Sequence, residues 1–156
     1  GGGVATVIGG GIAYSYFLGG PTHELANPDE AWENLTEDRS RTSQSISGTV
    51  TLEPGQFTAR FITPPQAVNY RIHAELNSGS SVDVFTMERS SFSDYREEAQ
   101  EILYLSPLTE TSIQDTLLTS TLSAGDYVTI IDYTGVYGST PNGETVTADV
   151  TISASV

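Results

Sequence analysis

The chain has 156 residues, enough for one domain with a hydrophobic core, and its 20 acidic and 6 basic residues give a net charge of −14. This acidic charge argues against nucleic acid as a partner, because phosphate contacts need lysine and arginine, and the six basic residues, all arginines, are few. Cysteine is absent, which excludes disulfides, thiolate catalysis and cysteine-based zinc sites.

The acidic, lysine-free composition is typical of proteins from extreme halophiles, and an ordinary acidic surface is the alternative interpretation. Repulsion among many negative charges destabilises a compact chain at low ionic strength. Salt screens that repulsion, because the Debye length falls to about 3 Å at 1 M. The composition therefore predicts a protein that works in concentrated salt.

Residues 1–20 form an uncharged head in which eight of the twenty residues are glycine. As a helix, twenty residues would span about 30 Å, enough to cross a bilayer, although glycine is unfavourable in ordinary helices. As a targeting segment, the head resembles the glycine-rich centre of a twin-arginine signal. As strands, residues 4–8 and 12–18 are apolar pieces separated by glycines.

The strand interpretation gives the head a role in assembly, because a free apolar strand can complete a neighbour's sheet in donor-strand fashion. Alternation in the second piece places Ile12, Tyr14, Tyr16 and Leu18 on one face. The residues expected to mediate assembly or membrane anchoring are Val4, Ile8, Ile12, Tyr14, Tyr16, Phe17 and Leu18.

Residues 21–43 are predicted to be an acidic connector with one short helix. Asn27 is a suitable N-cap, Pro28 fits the first helical position, and acidic residues occupy the first turn. Trp32 is expected to be a packing anchor of this helix. Asn34 lies in the sequon Asn-Leu-Thr and is an acceptor for N-glycosylation if the protein is exported.

Residues 44–156 are predicted to be a β-domain. Strands at 46–53 and 56–63 flank Glu53-Pro54-Gly55, which is typical of a hairpin turn. Residues 67–76 alternate so that His73 lies on the outward, charged face, where it is expected to be surface decoration rather than a ligand. Further strands are predicted at 82–87, 101–105, 111–122, 127–133 and 144–156.

Two connecting segments differ from this strand pattern. Residues 90–100 have a helical period and predict one or two helical turns across a sandwich edge, with a serine cap. Residues 134–143, rich in glycine and proline, predict a long exposed loop. About eight strands separated by turns indicate an all-β fold, an antiparallel sandwich whose two sheets each expose a Thr/Ser/acidic face.

Two motifs carry a family resemblance: SVDVFTM at residues 81–87 and LSAGDYVTIIDYT at residues 122–134. Together with the acidic, aromatic segment between them, they resemble the prepeptidase C-terminal-type jelly-roll domain over about residues 46–156. Tyr133 stands where that family has asparagine after the aspartate. The resemblance implies a jelly-roll sandwich that is a non-catalytic module of an exported protein, used in binding, secretion or surface display.

No motif predicts catalysis, a cofactor or a metal site. The two histidines, His23 and His73, are 50 residues apart, so a histidine-based metal site would need carboxylates to complete it. Glu97, Glu98 and Glu101 are expected to form a solvated acidic edge rather than an acid–base pair or a Ca²⁺ site. The glycine clusters are not followed by the Lys of a phosphate-binding loop.

The sequence therefore predicts a non-catalytic, extracellular structural subunit with three parts: a head (1–20), a connector (21–43) and a β-sandwich (44–156). Its expected partners are copies of itself, which it joins through the head to build a filament or surface lattice. The alternative is a membrane-anchored extracellular module, with residues 1–20 as a transmembrane helix and a β-domain that binds a protein, a glycan or Ca²⁺. An acid–base hydrolase would require a pocket with convergent carboxylates.

Overall fold

The structure, a computed structural model, describes residues 4–8 and 43–156. The described strands are β1 (Val4–Ile8), β2 (Ser43–Leu52), β3 (Gln56–Ile62), β4 (Val68–Ser78), β5 (Val82–Glu88), β6 (Glu101–Leu105), β7 (Glu110–Ile113), β8 (Asp115–Leu122), β9 (Tyr127–Tyr133) and β10 (Val146–Ser155). One short helix, α1 (Phe92–Arg96), follows the 3₁₀ turn Arg89–Ser91, and a second 3₁₀ turn spans Ser106–Leu108. Within these residues no helix has the length and apolarity needed to span a membrane.

Eight of the strands form two antiparallel, four-stranded sheets that pack as a sandwich. The first sheet has the order β2-β10-β4-β8 and the second sheet has the order β3-β9-β5-β7. From β2 to β10 the chain passes from one sheet to the other at every connection except the one between β5 and β7. This is the strand order of a jelly roll, and the predicted fold class is confirmed.

The turn at Glu53–Gln56 joins the two sheets, so the predicted hairpin is wrong. The turn itself has the expected chemistry, since Gln56 N–H donates to the carbonyl of Glu53 at 3.1 Å and Gly55 has a φ of +89°. However, β2 pairs with β10 and β3 pairs with β9. A turn signal specifies a chain reversal but leaves open which strand each arm will pair with.

The two sheets differ in the burial of their outer faces. In the first sheet β4 alternates as predicted, with Val68, Tyr70, Ile72 and Ala74 buried between the sheets and His73 facing outward. In the second sheet every residue of β9 is buried. The expectation that both sheets expose a polar face is therefore wrong for the second sheet.

The outer face of the second sheet carries a second apolar cluster, here called the outer core. Its members are Phe57, Ala59, Phe85, Met87, Tyr95, Ile102, Val128, Ile130, Val136 and Tyr137. They come from three sheet strands, from α1 and β6, and from the segment after β9. The segment 134–143, predicted to be an exposed loop, instead buries Thr134, Val136 and Tyr137, because their side chains cover the sheet.

The inner face of the second sheet also carries a polar row. Arg60 on β3, Thr129 on β9 and Thr86 on β5 lie directly opposite one another and are all buried. The hydroxyl of Tyr70, from the first sheet, is 2.9 Å from the Thr129 hydroxyl, which is 3.0 Å from that of Thr86. These hydrogen bonds offset the desolvation of polar groups inside the sandwich.

Candidate functional site

Strand β1 lies outside both four-stranded sheets and pairs with β6. The two strands are antiparallel, with Val4 opposite Leu105, Thr6 opposite Leu103 and Ile8 opposite Glu101. They form a two-stranded sheet of their own. Over residues 4–8 the head is therefore a strand, and the alternative interpretation as a transmembrane helix is wrong for this segment.

Strand β6 is the acceptor in this pair and is seated on the outer core. It belongs, with α1, to the excursion that the chain makes between β5 and β7. Ile102 is buried in the outer core and Leu105 in the cluster between the sheets, whereas Leu103 is 53% exposed. The face of β6 that carries Ile102 is thus anchored, whereas the opposite face is exposed at Glu101 and Leu103 and buried at Leu105.

The backbone edge of β6 needs a pairing strand, and β1 provides it. Within the described residues β1 is the strand that hydrogen-bonds to β6, since β6 belongs to neither four-stranded sheet. Without β1 this edge would present unpaired N–H and C=O groups, which readily accept another strand. The edge of β6 can therefore bind an extended segment through main-chain hydrogen bonds.

The predicted assembly residues divide between described and undescribed parts of the chain. Val4 and Ile8 are the first and last residues of β1. The remaining five, and the glycosylation acceptor, lie outside the described residues: Ile12, Tyr14, Tyr16, Phe17, Leu18 and Asn34. Their assigned roles stay predictions.

Two buried aspartates beside the acceptor strand were missed by the sequence reasoning. Asp83 on β5 lies directly opposite Asp132 on β9, on the outer face of the second sheet, and both are fully buried. The signal was available in the alternation, because residues 83, 85 and 87 share a face, as do 128, 130 and 132. Because aspartate is normally exposed, the alternation alone did not predict that Asp83 and Asp132 are buried.

Hydrogen bonds to the two carboxylates connect several elements to the second sheet. Asp83 Oδ1 accepts from the backbone N–H of Ser112 at 2.8 Å and from the hydroxyl of Ser139 at 2.9 Å. Asp132 accepts from the hydroxyl of Tyr95 on α1 and, at 2.8 Å, from the N–H of Thr134. The pair therefore ties β7 to β5 within the sheet, and fastens α1 and the segment after β9 to the sheet's outer face.

Burial changes the proton affinity of both carboxyls. It raises the pKa of Asp132 to about 6, an effect that the hydroxyl of Tyr95 opposes and the charge of Asp83 reinforces. Burial also raises the pKa of Asp83, against the hydrogen bonds from Ser112 and Ser139. Asp83 Oδ2 accepts no hydrogen bond from the described residues, and a Cβ placed on Gly138 would lie 2.1 Å from it. Both carboxylates are thus enclosed by the elements that they connect.

A hollow of about 740 Å³ lies beside α1, between Phe61, Phe92, Glu97 and two arginines. The guanidinium of Arg89 is 4.2 Å from the centre of the Phe61 ring, and that of Arg96 is 5.8 Å from the centre of the Phe92 ring. Glu97 is exposed, as predicted for an acidic edge. Glu98 also lines the hollow, and its backbone has a φ of +55°.

Neither a protein-family model nor a curated protein sequence matches the chain. Among solved structures, the pre-peptidase C-terminal domain of a Bacillus anthracis collagenase is similar over 68% of this chain and 86% of that one, with 12% identity and a TM-score of 0.48. PliG of Aeromonas hydrophila, a periplasmic inhibitor of g-type lysozyme, is similar over 75% and 90%, with 12% identity and a TM-score of 0.41.

A protein of Bacillus endospore appendages, which form disulfide-linked pili, is similar over 74% of this chain and 89% of that one, with 15% identity and a TM-score of 0.31. The first of the three neighbours is a domain of the type that the motifs at 81–87 and 122–134 resemble. These likenesses concern the type of fold and assign no activity or partner. The jelly-roll architecture itself rests on the strand order of this chain.

Proposed function

We propose that the chain is a non-catalytic, extracellular structural subunit that assembles into a filament or surface lattice, with β1 of one copy pairing with β6 of the next. The observation that carries the proposal is the five-residue, in-register pairing of β1 with β6. It is a strand-addition joint located at the surface of a complete sandwich. The body does not need β1 to close either of its four-stranded sheets.

The separation of β1 from the body makes the same joint available between chains. Residues 9–42, 34 in number, connect β1 to β2. A chain of that length reaches about 110–120 Å when extended, so it does not restrict β1 to its own β6. Because donor and acceptor are different surfaces, such a joint between copies is head-to-tail and continues into a ring or a filament.

The extracellular setting is part of the proposal and is supported by the family resemblance and by the sequon at Asn34. The membrane-anchored alternative needs a helix through residues 1–20, and the strand at Val4–Ile8 disfavours it. A sealed carboxylate pair also disfavours the hydrolase alternative, which requires carboxylates that converge on an accessible site.

Introduced cysteines test the joint directly, because the chain has none of its own. Thr6 and Leu103 are opposite each other in the pairing, at the cross-strand spacing that a disulfide can bridge. The single variants Thr6→Cys and Leu103→Cys are unfolded together, refolded in molar salt, oxidised and separated under denaturing conditions. We expect a covalent dimer containing one copy of each variant, and regular assemblies by electron microscopy.

The matched control changes only the register. Val4 pairs with Leu105, two residues from Leu103, so Val4→Cys mixed with Leu103→Cys should give little dimer. A chain beginning at Pro21 should fold and remain monodisperse. A chain carrying both substitutions, Thr6→Cys/Leu103→Cys, separates the two outcomes. The proposal is wrong if this double variant forms only an internal bridge while the unmodified chain stays monomeric. It is also wrong if the unmodified chain stays dispersed only in detergent, as a membrane anchor would require.

A further inference from the structure

The outward face of the first sheet brings together one histidine and two carboxylates. His73 and Glu75 are two residues apart on β4 and therefore share a face, and Asp115 on β8 lies directly opposite Glu75. The Nε2 atom of His73 is 3.1 Å from Oδ1 of Asp115. One ligand atom from each of the three residues lies within 4.8 Å of the others.

Negative charges are concentrated around Glu75 on this face. Glu75 has an aspartate directly opposite on each side, Asp115 on β8 and Asp149 on β10, and like charges in these positions repel. Asp149 Oδ1 accepts a hydrogen bond from the Thr49 hydroxyl at 2.8 Å. Arg71 shares this face, two residues from His73 and four from Glu75 along β4, opposite Thr119 and Ser153.

We propose that His73, Glu75 and Asp115 bind a divalent first-row transition-metal ion, with Zn²⁺ as its representative. One imidazole nitrogen and two carboxylate oxygens are ligands that Zn²⁺ takes in proteins, whereas Ca²⁺ and Mg²⁺ prefer oxygen alone. A cation placed there also removes the repulsion between Glu75 and Asp115. The fold thus places beside His73 the two carboxylates that a metal site with a single histidine requires.

The geometry suits three protein ligands and an open position. Tetrahedral Zn²⁺ with bonds near 2.0–2.2 Å holds its ligand atoms about 3.3–3.6 Å apart, and side-chain rotation from separations within 4.8 Å reaches that distance. A hollow of about 420 Å³ lies on the same face, lined by Arg71, His73, Leu117, Thr151 and Ser153. Water can reach the metal's fourth position from this hollow.

The test is a Zn²⁺ titration of the full chain by calorimetry, in molar NaCl with excess Mg²⁺ to suppress diffuse binding to acidic groups. We expect one equivalent of Zn²⁺ to bind and to raise the melting temperature, as any ligand of the native state does. His73→Ala and Asp115→Asn should each weaken binding at least about tenfold, because they remove a ligand. All these residues are on the surface, so the variants should fold.

Two matched controls separate this site from general attraction to a negative protein. His23→Ala removes the chain's other histidine, and Asp126→Asn removes an exposed carboxylate in the turn before β9. Both should bind Zn²⁺ as the unmodified chain does. Binding that is unchanged by His73→Ala, that needs several equivalents, or that disappears under excess Mg²⁺ would overturn the proposal.

Discussion

The Asp83–Asp132 pair buries two carboxyls side by side, and the hydrogen-bond pattern indicates what is gained. Removing two carboxyls from water is unfavourable unless donors meet them. Here the donors come from three separate segments, among them Ser112, whose backbone has a φ of +57°, a region that residues with a side chain seldom adopt. The pair therefore holds an otherwise unfavourable backbone in place.

The raised pKa of Asp132 predicts that stability falls as the pH rises. The folded-state pKa, about 6, lies above the ordinary value of 3.8, so the protonated form is favoured by folding. The stabilisation is complete below about pH 4 and is lost as the pH rises through 6. The rise of the pKa from 3.8 to about 6 corresponds to a loss on the order of 3 kcal/mol in the free energy of unfolding once the pH is above 6.

Asp132→Asn isolates this contribution, because asparagine has the same size and does not ionise. Urea unfolding between about pH 4 and pH 7 should give a flatter stability profile for this variant than for the unmodified chain. Asp126→Asn, at an exposed position, is the control and should keep the original profile. A profile that Asp132→Asn leaves unchanged would show that the buried carboxyl does not titrate in this range.

At the scale of elements, the second sheet differs from the first because structure is packed on both of its faces. Phe85 on β5 has ring centroids of Tyr104, Tyr95 and Tyr137 at 6.4, 6.5 and 6.5 Å, from β6, α1 and the segment after β9. The contacts with Tyr104 and Tyr137 are edge-to-face, and such contacts add to the stabilisation from apolar burial. The outer core, on which β6 packs, is thus a second packed core.

Phe85→Ala should destabilise the protein by about 3–5 kcal/mol, because it leaves a cavity among three rings that belong to different elements. Leu117→Ala is the matched control, since Leu117 is 52% exposed and its truncation should change stability by less than about 0.5 kcal/mol. Denaturant unfolding measures both. Equal effects of the two substitutions would mean that the outer core does not contribute to stability as a packed unit.

How far the sequence predicts these elements depends on whether the determining contacts are local. The strand at Tyr127–Tyr133 and the alternation of β4 follow from side-chain type and period, and both are confirmed. The burial of Arg60 and of Val136 depends on what lies across the sheet, which no local pattern specifies. The proposed metal ligands have the same origin, because Asp115 meets His73 only through the register of β4 and β8.

At the scale of the whole molecule, the charge and the architecture impose separate requirements. The jelly roll buries an apolar core between its sheets and a second on one side, as described above. The chain carries a net charge of −14 with no lysine, and most of its charged residues in the described part lie on the surface. Such a surface repels itself and keeps copies apart, so an assembly joint made of main-chain hydrogen bonds requires screened charges to form.

We therefore expect salt to stabilise both the fold and the assembly. Raising NaCl from about 0.1 to 1 M shortens the Debye length from about 10 to 3 Å, which should increase the melting temperature, at about 2–4 °C for each kcal/mol gained. The variant Glu88→Gln/Glu101→Gln/Asp126→Asn removes three exposed negative charges, so the net charge becomes −11 instead of −14. Its melting temperature should be higher in low salt and should rise less with NaCl. If the variant and the unmodified chain respond equally to NaCl, charge repulsion is not what the salt relieves, and exclusion of salt from the protein surface would explain the stabilisation instead.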